Sequence, residues 1–227
     1  MKICIFDIET RPQSKEQLQH VMPNFKADKR TKDPVKIVEQ IEAKREAFMR
    51  DAALDPRYGE ICAVGLKCQD MECDIMIGND VDLLQAFWFE FNKLKQKYTF
   101  AGFNIFAFDL HFIINRTLMT GNAGYLPPEL TDYREFQAGY PTFSKCFIDL
   151  IDTFKVFKYS KNAKTTNLDQ YCKAHGIDGK NGEGSMFYKM LDEGKSVEAN
   201  KYLKNDLMIT EQLFFSRFPK KKKVVVA

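Results

Sequence analysis

The chain has 227 residues, 44% of them hydrophobic and 29% charged, which suits an ordinary globular core and excludes a disordered or fibrous class. Its formal charge is +3, but the four lysines at 220–223 supply more than that, leaving −1 on the body and no broad basic field for nucleic acid. No apolar run has the length of a membrane span or the form of a signal peptide, and six cysteines without a C-x-x-C pair read as reduced core thiols of a cytosolic protein.

Residues 2–6 form a short apolar run that predicts a buried strand, with Asp7 and Glu9 at its end. Side chains two apart on a strand share a face, so both carboxylates aim the same way. Two hard anionic ligands at that spacing suit Mg²⁺ or Mn²⁺, although an isolated D-x-E also reads as a surface turn. Residues 11–58 are polar and charged, with no strand-like run. Asp33 caps a helix opened by Pro34, and Val38, Ile41, Phe48 and Ala52 recur at helical spacing. This segment reads as a partly helical insertion over one edge of the sheet, either a guide for a nucleic-acid strand or a decoration.

Residues 60–68 and 72–77 predict two strands paired as a hairpin, and 80–97 a helix with Asp80 as its cap. Leu83, Leu84, Phe87, Trp88 and Phe91 recur on one face of that helix, the spacing of core residues rather than of base-stacking platforms. Residues 98–103 predict a fourth strand running into Asn104, and Asp109 opens the apolar helix that follows. Residues 120–145, rich in Gly and Pro, predict a long loop, functional or mobile. Residues 146–152 predict a fifth strand, followed by an aromatic, basic stretch at 154–159.

Thr166 to Asp169 has the form of a capping box, Gly176 suits the residue after a helix end, and His175 in the last turn suits a structural role. The glycine-rich segment 176–184 carries Lys180 but lacks phosphate-loop spacing, and predicts a flexible loop near substrate. Two helices follow, at 185–193 and 197–215. Tyr202 and Asp206, four apart, stand one turn from each other on one face of the second.

Three stretches now stand in order: Phe6-Asp7-Ile8-Glu9-Thr10, then Gly102-Phe103-Asn104-Ile105-Phe106-Ala107-Phe108-Asp109, then Tyr202-Leu203-Lys204-Asn205-Asp206. Together they resemble the three motifs of the DEDD (DnaQ-like) 3′-5′ exonucleases, in the branch with tyrosine in the third motif. The likeness is greatest to stand-alone exonucleases related to the proofreading domain of family B DNA polymerases. It implies a ribonuclease H-like α/β fold: a mixed five-stranded sheet, the first strand central, with helices on both faces. One domain would span 1–218, with a basic tail at 219–227 read as a solvated tail, a localisation patch or a nucleic-acid arm.

The resemblance further implies that Asp7, Glu9, Asp109 and Asp206 hold two divalent cations, Mg²⁺ or Mn²⁺, and that Tyr202 orients the attacking water. Thr10, Asn104 and Phe108 would contact the terminal nucleotides, with Phe108 read equally as a core anchor of its helix. Neither His111 nor His175 occupies the third-motif position, and Asp149 and Asp152 read as structural acids. The implied reaction releases nucleoside 5′-monophosphates from single-stranded DNA 3′ ends. An exoribonuclease and a non-catalytic binding module of the same fold stand as alternatives.

Overall fold

The computed structural model describes residues 2–131, 146–154, 165–180, 182, 184 and 187–219. Much of the expected 120–145 loop, nearly all of the aromatic, basic stretch at 154–159, and the four lysines at 220–223 lie outside the described residues. The strands are β1 (Ile3–Pro12), β2 (Gly59–Cys68), β3 (Cys73–Ile77), β4 (Thr99–Gly102) and β5 (Phe147–Asp149). The helices are α1 (Lys15–Leu18), α2 (Pro34–Ala53), α3 (Asp80–Leu94), α4 (Asp109–Met119), α5 (Pro128–Thr131), α6 (Leu150–Phe154), α7 (Leu168–Ala174), α8 (Phe187–Asp192) and α9 (Ser196–Arg217).

The strands form one mixed sheet in the order β3-β2-β1-β4-β5, with β1 in the middle as expected. β2 runs antiparallel to β1 and to its hairpin partner β3, while β1, β4 and β5 are parallel. This is the ribonuclease H-like arrangement. Alternation along β1 assigns its side chains to two layers. Cys4, Phe6 and Ile8 join the core under α3 and α4, with Phe87, Trp88, Phe91 and Phe112. Ile3 and Ile5 join the opposite core with Leu203, Leu207 and Phe214 of α9 and Phe187 of α8. The aromatic stripe of α3 is therefore core: Phe91 stacks on Phe147 at 5.1 Å, and the Trp88 indole donates to Thr117 Oγ1 at 2.8 Å. No helix of the described residues is long and apolar enough to cross a membrane.

Four details differ from the expected elements. β1 continues through Arg11 and Pro12, which pair with Glu60 and Gly59, so the insertion begins two residues later. Its long helix, α2, packs against β1 and β2 rather than lying over an edge of the sheet. Small buried residues permit that contact, since a Cβ on Gly59 would lie 2.8 Å from the Ala53 carbonyl oxygen.

The expected fifth strand stops at Asp149 and turns into α6, because the Asp149 carboxylate accepts the Ile151 N–H at 3.1 Å and starts a helix there. Asp80 is not the cap of α3. Asn79 is, accepting the Asp82 N–H at 3.0 Å, while Asp80 turns inward to Arg116. Asn167 likewise caps α7, and Gly176 follows its end at φ +70°, a conformation that favours glycine. His175 stands beside Ser216 Oγ at 2.8 Å, in keeping with a structural role.

Candidate active site

The parity that sends Ile3 and Ile5 toward α9 sends Asp7 and Glu9 the same way. Asp7 pairs across the sheet with Gly65 of β2. A Cβ on Gly65 would stand 2.7 Å from Leu207 Cδ1, so the missing side chain lets α9 settle onto the sheet and brings Tyr202 and Asp206 to the acids of β1. Carboxylate oxygens of Asp7, Glu9 and Asp206 all lie within 4.8 Å of one another. Asp109 arrives from the other layer at the start of α4, where its Oδ1 accepts the Ile8 N–H at 3.1 Å.

The turn that delivers Asp109 is tightly held. A Cβ on Gly102 would meet the Phe6 carbonyl oxygen at 2.8 Å, and Asn104 takes φ +64°. Beneath the turn, Asp149 accepts the Asn104 N–H at 2.8 Å and the Phe106 N–H at 2.9 Å. Both its oxygens are thereby engaged by backbone, and Asp149 shapes the turn as the structural acid expected.

Crowded carboxylates out of water resist ionisation. Burial, with Asp206 adding to it, raises the Asp7 pKa to about 6. Burial and then Asp7 push Glu9 and Asp109 well above the usual carboxylate range. Burial, with Asp206 and Glu9, also raises the Tyr202 phenol, so its hydroxyl stays protonated. Lys180 Nζ donates to Asp206 Oδ2 at 2.5 Å and lies 3.5 Å from the Tyr202 hydroxyl. Burial works against the Lys180 charge, yet Asp206, Asp7 and Glu9 together hold its pKa above the usual lysine value. The other oxygen of Asp206, Oδ1, is buried with no hydrogen-bond partner among the described residues.

A cleft of about 940 Å³ is lined by Asp7, Glu9, Asp109, Tyr202 and Lys180, while Asp206 is buried and does not line it; Thr10, Asn104 and Phe108 stand on its walls. Phe108 also packs on Phe112 with ring centroids 5.7 Å apart, so it is at once a cleft residue and an anchor of α4. Two contributors escape the motif reading. Lys180 reaches the acids themselves, where its glycine-rich segment signalled only a loop near substrate, and the end of the insertion supplies Arg50, Ala53 and Leu54 to the cleft wall.

Residues 61–223 match the model of a family described as "predicted 3′-5′ exonuclease related to the exonuclease domain of PolB". The chain belongs to that family. Asp109, Tyr202 and Asp206 fall within the matched residues of this exonuclease family, whereas Asp7 and Glu9 precede them. The fold is similar to that of the family B DNA polymerase from the hyperthermophilic archaeon Pyrobaculum calidifontis, with a TM-score of 0.58 and 12% identity. That likeness covers 96% of this chain and 24% of the polymerase, so the chain spans about a quarter of the polymerase's length. No curated protein matches the chain.

The donor set suits hard divalent cations: oxygen ligands only, from acids whose mutual repulsion a cation relieves, with a buried Asp206 oxygen left unpartnered.

Proposed function

We propose that the chain is a metal-dependent 3′-5′ exodeoxyribonuclease that removes nucleoside 5′-monophosphates from single-stranded DNA ends, with Asp7, Glu9, Asp109 and Asp206 as ligands of two Mg²⁺ or Mn²⁺ ions. The convergence of Asp7, Glu9 and Asp206 from β1 and α9, with Asp109 at the start of α4 beside Asp7, in a chain of an exonuclease family, carries this reading. Bound there, such ions would lower the pKa of a water and stabilise the leaving oxygen of an in-line displacement. Tyr202, held protonated by burial and its acidic neighbours, positions that water rather than removing its proton. Thr10, Asn104 and Phe108 would hold the terminal nucleotides, Phe108 through stacking.

Digestion of matched 3′-labelled DNA and RNA strands with Mg²⁺, Mn²⁺ or chelator tests the proposal. Mononucleotide release from DNA that stops with chelator is expected. Preference for RNA would replace the substrate, and no release from either strand would favour a binding module.

Tyr202→Phe keeps the ring and loses the hydroxyl, so kcat should fall by about 10- to 100-fold with little change in KM. An unchanged kcat would remove the water-positioning role.

Lys180 and a divalent cation compete for the same Asp206 carboxylate. Lys180→Met should therefore tighten Mn²⁺ binding, measured calorimetrically, by about tenfold. Equal or weaker affinity would mean that the lysine stands clear of the metal ligands when ions bind.

A further inference from the structure

The catalytic cleft opens sideways into two neighbours. Arg50 and Tyr188 form a wall shared with a second cleft of about 700 Å³, and Leu54 and Phe108 a wall shared with a third of about 480 Å³. Each offers a path out for a polynucleotide whose 3′ end lies at the acids. Charge separates them. Among the described residues three cations line the catalytic cleft, and two are already engaged: Lys173 with Asp169 at 2.6 Å and Lys180 with Asp206 at 2.5 Å. Arg50, exposed on the last turn of α2, ion-pairs with none of the described residues.

In the third cleft Arg57 is engaged by Asp55 at 2.6 Å, and Asp51 adds a negative charge. In the second, Arg11 and Arg45 are engaged by Glu60 and Glu42, while Lys15 and Lys189 pair with none of the described residues. Glu46 and Asp192 share those walls, so the attraction is confined to a few points rather than spread along the groove. Tyr188, half-buried, lines both clefts together with Arg50 and adds an aromatic side chain to the wall they share. Ala52 and Ala53, buried against the sheet two and three residues beyond Arg50, fix where the arginine stands.

We propose that the insertion builds a second strand-binding subsite: the 5′-ward part of a single-stranded polynucleotide leaves the catalytic cleft past Arg50 and Tyr188, seating its phosphates on Arg50, Lys15 and Lys189. This rests on the nuclease reading above and extends it to a region, 11–58, that the family match does not cover. The recognised chemistry is the phosphodiester backbone, common to DNA and RNA.

The test compares wild type, Arg50→Glu, Arg50→Glu/Lys189→Glu and Lys36→Glu, an exposed residue of α2 that lines none of the three clefts. kcat/KM is measured on a thymidylate dodecamer and a trimer, with a uridylate dodecamer as a second arm. Arg50→Glu should lower kcat/KM by about tenfold more on the dodecamer than on the trimer, and the double variant should widen that gap. The salt dependence of dodecamer binding should weaken by about 0.7 of a unit of log–log slope for each phosphate that is no longer neutralised. Any effect on whichever dodecamer is cleaved should be alike in DNA and RNA. Equal losses on dodecamer and trimer, no loss on the dodecamer, or an equal loss in Lys36→Glu would overturn the subsite while leaving the nuclease reading intact. A wild type that cleaves none of these strands would instead remove the nuclease reading, and the subsite with it.

Discussion

Asp7→Asn and Asp206→Asn should each lower mononucleotide release by about a thousandfold or more while the protein stays folded. Both side chains belong to a cluster whose oxygens lie within 4.8 Å of one another, so either substitution removes a carboxylate from the proposed metal site with little change in volume. The stability effect has a definite sign. The Asp7 pKa is raised to about 6 in the folded metal-free protein, so the folded state binds its proton more tightly than the unfolded state does. Wild type therefore pays an ionisation penalty that grows as pH rises from about 4 through about 6 and stays constant above that.

Asn carries no such penalty. In chelator at pH 7 to 8, Asp7→Asn should melt above wild type, by on the order of 1–2 kcal/mol, and the two should converge near pH 4. Adding Mn²⁺ should raise the wild-type melting temperature and leave the variant's nearly unmoved. Turnover within a few fold of wild type in either variant would end the metal-ligand assignment.

Asp80→Ala should lose about 3–5 kcal/mol in urea unfolding, the largest stability effect expected outside the hydrophobic core. Asp80 and Arg116 are both buried, and the carboxylate accepts Nη2 at 2.5 Å, Nε at 3.0 Å and the Ile61 N–H at 2.8 Å. Arg116 also donates to the Pro56 carbonyl at 3.3 Å, so one network ties the start of β2, α3, α4 and the end of the insertion. Removing the carboxylate strands a buried guanidinium and a backbone N–H together. Asp80→Asn/Arg116→Met keeps an acceptor for Ile61 and removes the charge, and should recover part of the loss. A loss below about 1 kcal/mol in Asp80→Ala would mean that water replaces the acid at this point.

Some of this protein could be read from short-range pattern alone. Alternation along β1 puts Asp7 and Glu9 on one side, and a four-residue step puts Tyr202 one turn from Asp206, because strand and helix periods act within a few residues. The same periodicity marks the aromatic stripe of α3 as core. The central place of the first strand in a mixed five-stranded sheet followed from the family likeness of the three acidic motifs rather than from periodicity, and the full strand order came only with the structure.

Other features arise only where distant parts meet. Asp80 reads as a helix cap because Asp favours that place, yet its partner Arg116 lies 36 residues away on another helix. Asp149 serves backbone groups 43 and 45 residues earlier, Lys180 reaches an acid 26 residues later, and α2 places Arg50 over the catalytic cleft through contacts with β1 and β2. A hydrogen bond or ion pair across such separations imposes no period on the chain. Only the packing of the layers decides which charged side chains come within reach of one another.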